Sequence, residues 1–83
     1  MKNRLNNELS EYIKLCRFKK KVSQLDIANK LNISRQAYTN WENNPIKLDL
    51  DKLIDIGNAI GEDILIFFNN YIAKSNNSKE QEY

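Results

Sequence analysis

The feature that most constrains this chain is a pair of short apolar segments, each opened by a serine and separated by three residues. The first follows Ser23 and bears Leu25, Ile27, Ala28 and Leu31; the second follows Ser34 and bears Ala37, Tyr38 and Trp41, with Asn32-Ile33-Ser34 between them. A serine hydroxyl satisfies the orphan amides at a helix start, and Asp26, three residues after Ser23, adds favourable first-turn charge. Asn32 ends the first segment, because asparagine tolerates left-handed backbone geometry. The spacing predicts two helices, about 24–31 and 35–43, and helices this short joined this tightly must cross steeply. Ala28 is small where they approach and Ile33 plugs the turn. Ala37, Tyr38 and Trp41 then face inward, which leaves Arg35, Gln36, Thr39 and Asn40 on the outer face.

The flanks read as helical too. Leu5, Leu9, Ile13 and Cys16, with Tyr12 and Leu15, recur at helical spacing and mark a first helix from about Asn6 to Lys20. Its end carries Lys19-Lys20-Lys21, which suits the helix dipole and equally suits a phosphate. After a loop at Asn43-Asn44-Pro45, Asp49 caps a fourth helix bearing Leu50, Leu53, Ile54, Ile56, Ala59 and Ile60, closed by Gly61. Asp63 caps a fifth helix, about 63–72, bearing Ile64, Leu65, Phe67, Phe68, Tyr71 and Ile72. Residues 73–83 are polar and read as a disordered tail. Eighty-three residues leave no room for a second core, so the fold class is all-α, with one domain over 1–72.

Composition removes several function classes. With no histidine, the commonest general base and metal ligand is missing, and the lone Cys16 can neither form an internal disulfide nor hold zinc. Ser23 and Ser34 have no base to activate them and there is no glycine-rich phosphate loop. Asp49, Asp51 and Asp55 serve as caps and solvent-facing charge. No catalytic residue, metal, cofactor or small-molecule substrate is expected. The stretch Met1–Leu9 lacks a secretory pattern, and the longest apolar run, the five residues Ile64–Phe68, is too short to span a bilayer, so a cytoplasmic location is expected. Net charge is only +2, yet residues 1–40 carry nine basic and three acidic side chains, whereas 41–83 carry four and eight. A basic half joined to an acidic half points to one face made for a polyanion.

The run "VSQLDIANKLNISRQAYTNWEN", followed by "LDKLIDIGNAIGEDILIFF", resembles the Cro and phage-repressor helix-turn-helix family, also called XRE-like or lambda-repressor-like. The resemblance covers about residues 9–67. Ser23-Gln24, Ile27-Ala28, Asn32-Ile33-Ser34, Arg35 and Trp41-Glu42-Asn43 occupy the places of the family's characteristic run. Asn32 stands where a turn glycine is usual, Tyr38 where a β-branched aliphatic is commoner, Asn44-Pro45 where a glycine follows, and Gly57 where alanine is usual. The resemblance implies a compact five-helix domain and a transcriptional regulator, a repressor in most such proteins. It would bind a palindromic double-stranded operator as a homodimer through the helix Ser34–Asn43.

That resemblance also implies roles. Arg35 matches the edge of guanine, and Gln36 and Asn40 match that of adenine, with Thr39 beside them. Gln24, Ser34, Lys21, Asn43 and Lys47 are expected at the DNA backbone. Arg17 on the first helix meets Glu42 in a structural ion pair that braces the reading helix. The run Ile64–Phe68 cannot bury every side chain on one helix face, so Leu65 or Ile66 must remain outside. Ile64, Leu65, Ile66, Phe68 and Tyr71 form the expected dimer interface; the competing reading is that the run completes the monomer core. A second function also stays open, a protein-interaction module that reuses the fold with little sequence-specific DNA binding.

Overall fold

A computed structural model describes the backbone of residues 4–81 and the side chains of residues 4–74. Five helices follow one another: α1 Arg4–Lys20, α2 Gln24–Leu31, α3 Arg35–Asn43, α4 Leu50–Ile60 and α5 Leu65–Gln81, with a short 3-10 turn at Pro45–Lys47. No strand occurs among the described residues. The cap residues explain most boundaries. Ser23 accepts from the Asp26 amide while the Asp26 carboxylate accepts from the Ser23 amide, a reciprocal capping box that starts α2. The Ser34 hydroxyl accepts from the Ala37 amide at the head of α3, and Asp49 accepts from the Lys52 amide at the head of α4. Asp63 accepts from the Leu65 amide, so it caps α5 from two residues before the helix begins.

Three helix ends turn in the same way. The amides of Val22, Ile33 and Glu62 reach back to the carbonyls of Arg17, Ala28 and Gly57, with Lys21, Asn32 and Gly61 in the left-handed conformation at the turn. Glycine and asparagine accept that conformation readily. Lys21, at φ 57°, does not, and the sequence carries no sign of it. Gly57 has a separate reason to be glycine: a Cβ there would lie 2.8 Å from the Glu62 carbonyl oxygen, in the turn between α4 and α5.

The core draws on every helix. Leu9, Ile13 and Cys16 of α1 meet Ile27 and Ala28 of α2, Tyr38 of α3, Leu53, Ile56 and Ile60 of α4, and Ile64 and Phe67 at the start of α5. Phe67 packs against Tyr12, Phe68 and Tyr71 with ring centroids 5.1, 5.3 and 5.9 Å away, which ties α5 to α1. Several expectations need correction. Helix α1 starts at Arg4 rather than Asn6, extended by an Arg4–Glu8 pair one turn apart at 2.7 Å. Leu25 and Leu50, counted above among the apolar residues that mark α2 and α4, are exposed. Helix α5 runs past residue 72 to Gln81, since no proline or glycine interrupts it. The tail expectation for 73–83 falls for the most part outside the residues whose side chains are described. Ile64, assigned above to the dimer face, is only 4% exposed and belongs to the monomer core. No helix among the described residues is long and apolar enough to cross a membrane.

Candidate nucleic-acid interface

Helix α3 owes its position to what its inner face meets. Tyr38 and Glu42, one turn apart, are both fully buried, and Ala37 and Trp41 are half-buried beside them. A buried carboxylate is costly unless it is paired and its lone pairs are used. Glu42 meets both conditions. Its Oε2 accepts from Arg17 Nε at 2.9 Å and from the Tyr38 hydroxyl at 2.8 Å, and its Oε1 accepts from Arg17 Nη2 at 3.2 Å and from Gln24 Nε2 at 3.0 Å. Arg17 therefore grips Glu42 with two nitrogens, the geometry in which a guanidinium binds a carboxylate best, while its Nη1 donates to the Val22 carbonyl at 3.3 Å. Burial on its own would push the Glu42 carboxyl up. The hydrogen bonds from Arg17, Gln24 and Tyr38 together outweigh it and hold the group below the ordinary glutamate value. The Tyr38 phenol moves the other way, raised by burial and then by the charge of Glu42.

Helix α1 also holds the backbone at the end of α3. The Ser10 hydroxyl, itself buried, donates to the Glu42 carbonyl at 2.7 Å, and Asn6 donates to the Asn43 carbonyl and accepts from the Ile46 amide. These bonds satisfy carbonyls that a helix C-terminus leaves without partners. The last turn of α3 is thereby tied to α1 at several points 25 to 37 residues distant in sequence.

The outer face is built differently. Arg35, Gln36 and Asn40 are exposed, and within the described residues no hydrogen bond occupies their side chains. Thr39 is half-buried at the edge of this face, and its hydroxyl lies 3.0 Å from both Gln24 Oε1 and the Arg35 carbonyl. Gln24 is thus used at both ends of its amide, by Glu42 on one side and Thr39 on the other. Ser34 is exposed, with its hydroxyl engaged as the cap of α3. Lys21, Asn43 and Lys47 are exposed, Lys21 in the turn between α1 and α2, Asn43 at the end of α3 and Lys47 in the 3-10 turn. Arg17, Ser23, Gln24, Leu25 and Arg35 line an open cleft where α1 ends and α2 and α3 begin. Both starting helices direct their amide ends toward this side, which favours negative charge.

The arrangement is two short helices in contact, joined by a three-residue turn, the second presenting unengaged polar side chains from a braced scaffold. The family model described as Helix-turn-helix matches residues 13–67. The chain belongs to this helix-turn-helix family, of the XRE and Cro type. Among curated proteins it is 43% identical over 51 residues to an uncharacterized HTH-type transcriptional regulator, YqaE, of Bacillus subtilis (strain 168); the match covers 61% of this chain and 44% of that one. The chain thus spans less than half the length of that relative. No solved structure gives a significant match.

Reading the helix-turn-helix from sequence missed five members of the bracing network, Tyr38, Gln24, Thr39, Asn6 and Ser10. Tyr38 as a donor to Glu42 was within reach, since residues four apart on a helix are neighbours. The Gln24–Thr39 link, and the contacts of Asn6 and Ser10 with the end of α3, depend on how helices far apart in sequence pack, and carry no local signal. Among the described residues no group of histidine, cysteine or acidic side chains is placed to hold a metal ion.

Proposed function

We propose that this chain is a sequence-specific DNA-binding transcriptional regulator, a repressor, acting as a homodimer on a palindromic operator. The observation that carries this reading is the contrast within α3, whose inner face is buried and bonded while Arg35, Gln36 and Asn40 stand exposed and unengaged on the outer face. In the major groove, the Arg35 fork fits O6 and N7 of a guanine, and the amides of Gln36 and Asn40 fit N6 and N7 of adenines, each good pair giving roughly 1–3 kcal/mol of discrimination. Thr39 borders this surface. Gln24, Ser34, Lys21, Asn43 and Lys47 lie around it as contacts to phosphates, with Gln24 already oriented by Glu42 and Thr39. A protein with this task works in the nucleoid.

The homodimer is assigned to α5. Leu65 and Ile66 are 46% and 49% exposed, Ile72 is 56% exposed, and Phe68 and Tyr71 are half-buried beside them. An apolar face of this kind on a small domain suits a two-fold interface. Such an interface would set two copies of α3 about 34 Å apart, one helical turn of DNA. Ile64 is not part of it.

The test is selection of bound sites from a random DNA pool at physiological salt, repeated with Arg35→Ala and Gln36→Ala. The expected result is an enriched short inverted repeat for the parent and relaxed preference at one position per half-site for each variant. Enrichment no better than random, with only weak salt-sensitive binding, would overturn the proposal.

A further inference from the structure

Gln24 and Thr39 stand on different helices, and one hydrogen bond joins them. Gln24 opens α2 and is half-buried; Thr39 sits in the middle of α3, half-buried at the edge of its outer face. The Gln24 amide is engaged at both ends. Its Nε2 donates to Glu42 Oε1 at 3.0 Å, and its Oε1 lies 3.0 Å from the Thr39 hydroxyl. Glu42 decides which way round that amide stands. Turned over, the Gln24 carbonyl oxygen would face a carboxylate oxygen with no proton between them, two acceptors in repulsive contact. Glu42 is paired with Arg17 and stays a carboxylate at neutral pH, so the preference persists there.

Counting protons assigns the rest. An amide nitrogen carries two N–H groups; Glu42 takes one from Gln24, and one is left. Gln24 Oε1 needs a donor, and among the described residues Thr39 is the one that supplies it. The Thr39 hydroxyl has a single proton and two acceptors within reach, Gln24 Oε1 and the Arg35 carbonyl, each at 3.0 Å. A threonine in a helix often returns that proton to the carbonyl one turn back, but the helix ladder already serves the same carbonyl. Gln24 Oε1 has no second donor. The proton therefore belongs with Gln24, and Thr39 has none to spare for a base edge.

We infer that Thr39 is a positioning residue that acts through Gln24. It holds the amide so that the one remaining N–H is offered to a DNA phosphate from the cleft that Gln24 shares with Arg35. This role rests on the DNA-binding reading proposed above. It moves Thr39 from the border of the base-reading surface to the link between a phosphate contact on α2 and the reading helix α3. Without the hydroxyl, the Gln24 amide is tethered at one end only. Ordering it on DNA then costs side-chain freedom that the parent has already given up. The loss falls on every sequence alike, since a phosphate carries no base identity.

The test measures the affinity of the full chain for a random-sequence duplex and for the site enriched in the selection above. Four variants are compared with the parent: Thr39→Val, Thr39→Ser, Gln24→Ala and the double Thr39→Val/Gln24→Ala. Thr39→Val keeps the side-chain shape and removes the hydroxyl; it is expected to weaken both duplexes by the same factor, about three- to tenfold. Thr39→Ser keeps the hydroxyl and is expected to bind like the parent. The double variant is expected to bind like Gln24→Ala alone, because nothing is left to position. Base preference, read by repeating the selection with Thr39→Val, is expected to stay as in the parent. A preference changed at one base position would make Thr39 a base reader, and penalties that multiply in the double variant would show that it acts without Gln24. Either result overturns the inference. Urea unfolding checks that each variant is folded, and Thr39→Ala takes the place of Thr39→Val if that one is not. Should no site be enriched, the sequence-specific reading fails while the random duplex still reads the coupling of Thr39 to Gln24, so the two proposals fail separately.

Discussion

The two ends of α3 are built on opposite principles. At its N-terminus a single serine hydroxyl caps the helix, and Arg35 and Gln36 reach into solvent with no bond to the rest of the chain among the described residues. At its C-terminus Glu42 is fully buried, with the buried Tyr38 one turn earlier donating to it, Arg17 and Gln24 hold the carboxylate, and Ser10 and Asn6 hold the last carbonyls. A reading surface needs side chains free to meet a partner and a backbone that does not move while they do so. Separating the two requirements along one nine-residue helix satisfies both. Stability should therefore be sensitive at the bolted end and insensitive at the open one, and recognition the reverse.

Arg17→Ala is the change that strikes this contrast hardest. It removes the cationic partner of a buried carboxylate, so about 3–5 kcal/mol of folding stability is expected to be lost in urea unfolding. Arg35→Ala, at the open end, should stay within about 0.5 kcal/mol of the parent. A loss below about 1 kcal/mol for Arg17→Ala would mean the pair behaves as an exposed one and that the bolt lies elsewhere. Tyr38→Phe comes next. It deletes one hydrogen bond to a charged group while keeping the buried ring, and about 1.5–3 kcal/mol is expected in the same measurement.

Acid should loosen the bolted end selectively. Glu42 is held below the ordinary glutamate value in the folded protein, so the folded state binds its proton less readily than the unfolded chain does. Its contribution is fully present above the unfolded value of about 4.3, and disappears as the pH falls through the lower folded value. Urea midpoints measured from pH 7 down to pH 3 should fall more steeply for the parent than for Glu42→Gln, which has no such proton to gain. Parallel curves would show that the buried carboxylate is not what acid attacks.

What could be read in the sequence follows the same division. The two serine caps, Asn32 in the turn, Asp49, and Gly61 are local signals: α2 and α4 begin and end, and α3 begins, where those residues put them. The outer face of α3 followed from helical spacing alone. The bolt was legible only in part. Arg17 and Glu42 came from the family resemblance, whereas Ser10 and Asn6 look like ordinary polar residues on a helix until the loop at Asn43–Ile46 is folded against them. Helix α5 was hard to read for a different reason. Ile64–Phe68 has no polar residue to mark which side faces inward, so Ile64 could be placed in the core only once Gly57 had allowed the turn at Glu62.

The smallest expected effect lies between the two ends, where α1 hands the chain to α2. Lys21 holds φ at 57° so that Val22 can bond back to the Arg17 carbonyl, and Arg17 Nη1 reaches the Val22 carbonyl across the same turn. A left-handed L-residue costs roughly 1–2 kcal/mol, and glycine avoids most of that while giving back some chain entropy in the unfolded state. Lys21→Gly should accordingly stabilise the fold by about 0.5–1 kcal/mol in thermal or urea unfolding. Removing the ammonium should also flatten the salt dependence of DNA binding by about one counterion, equally for all sequences. Greater stability with an unchanged salt slope would place Lys21 in the scaffold alone. Lower stability would show that the lysine side chain contributes more to this turn than its backbone costs, and would extend the bolted region into the α1–α2 junction.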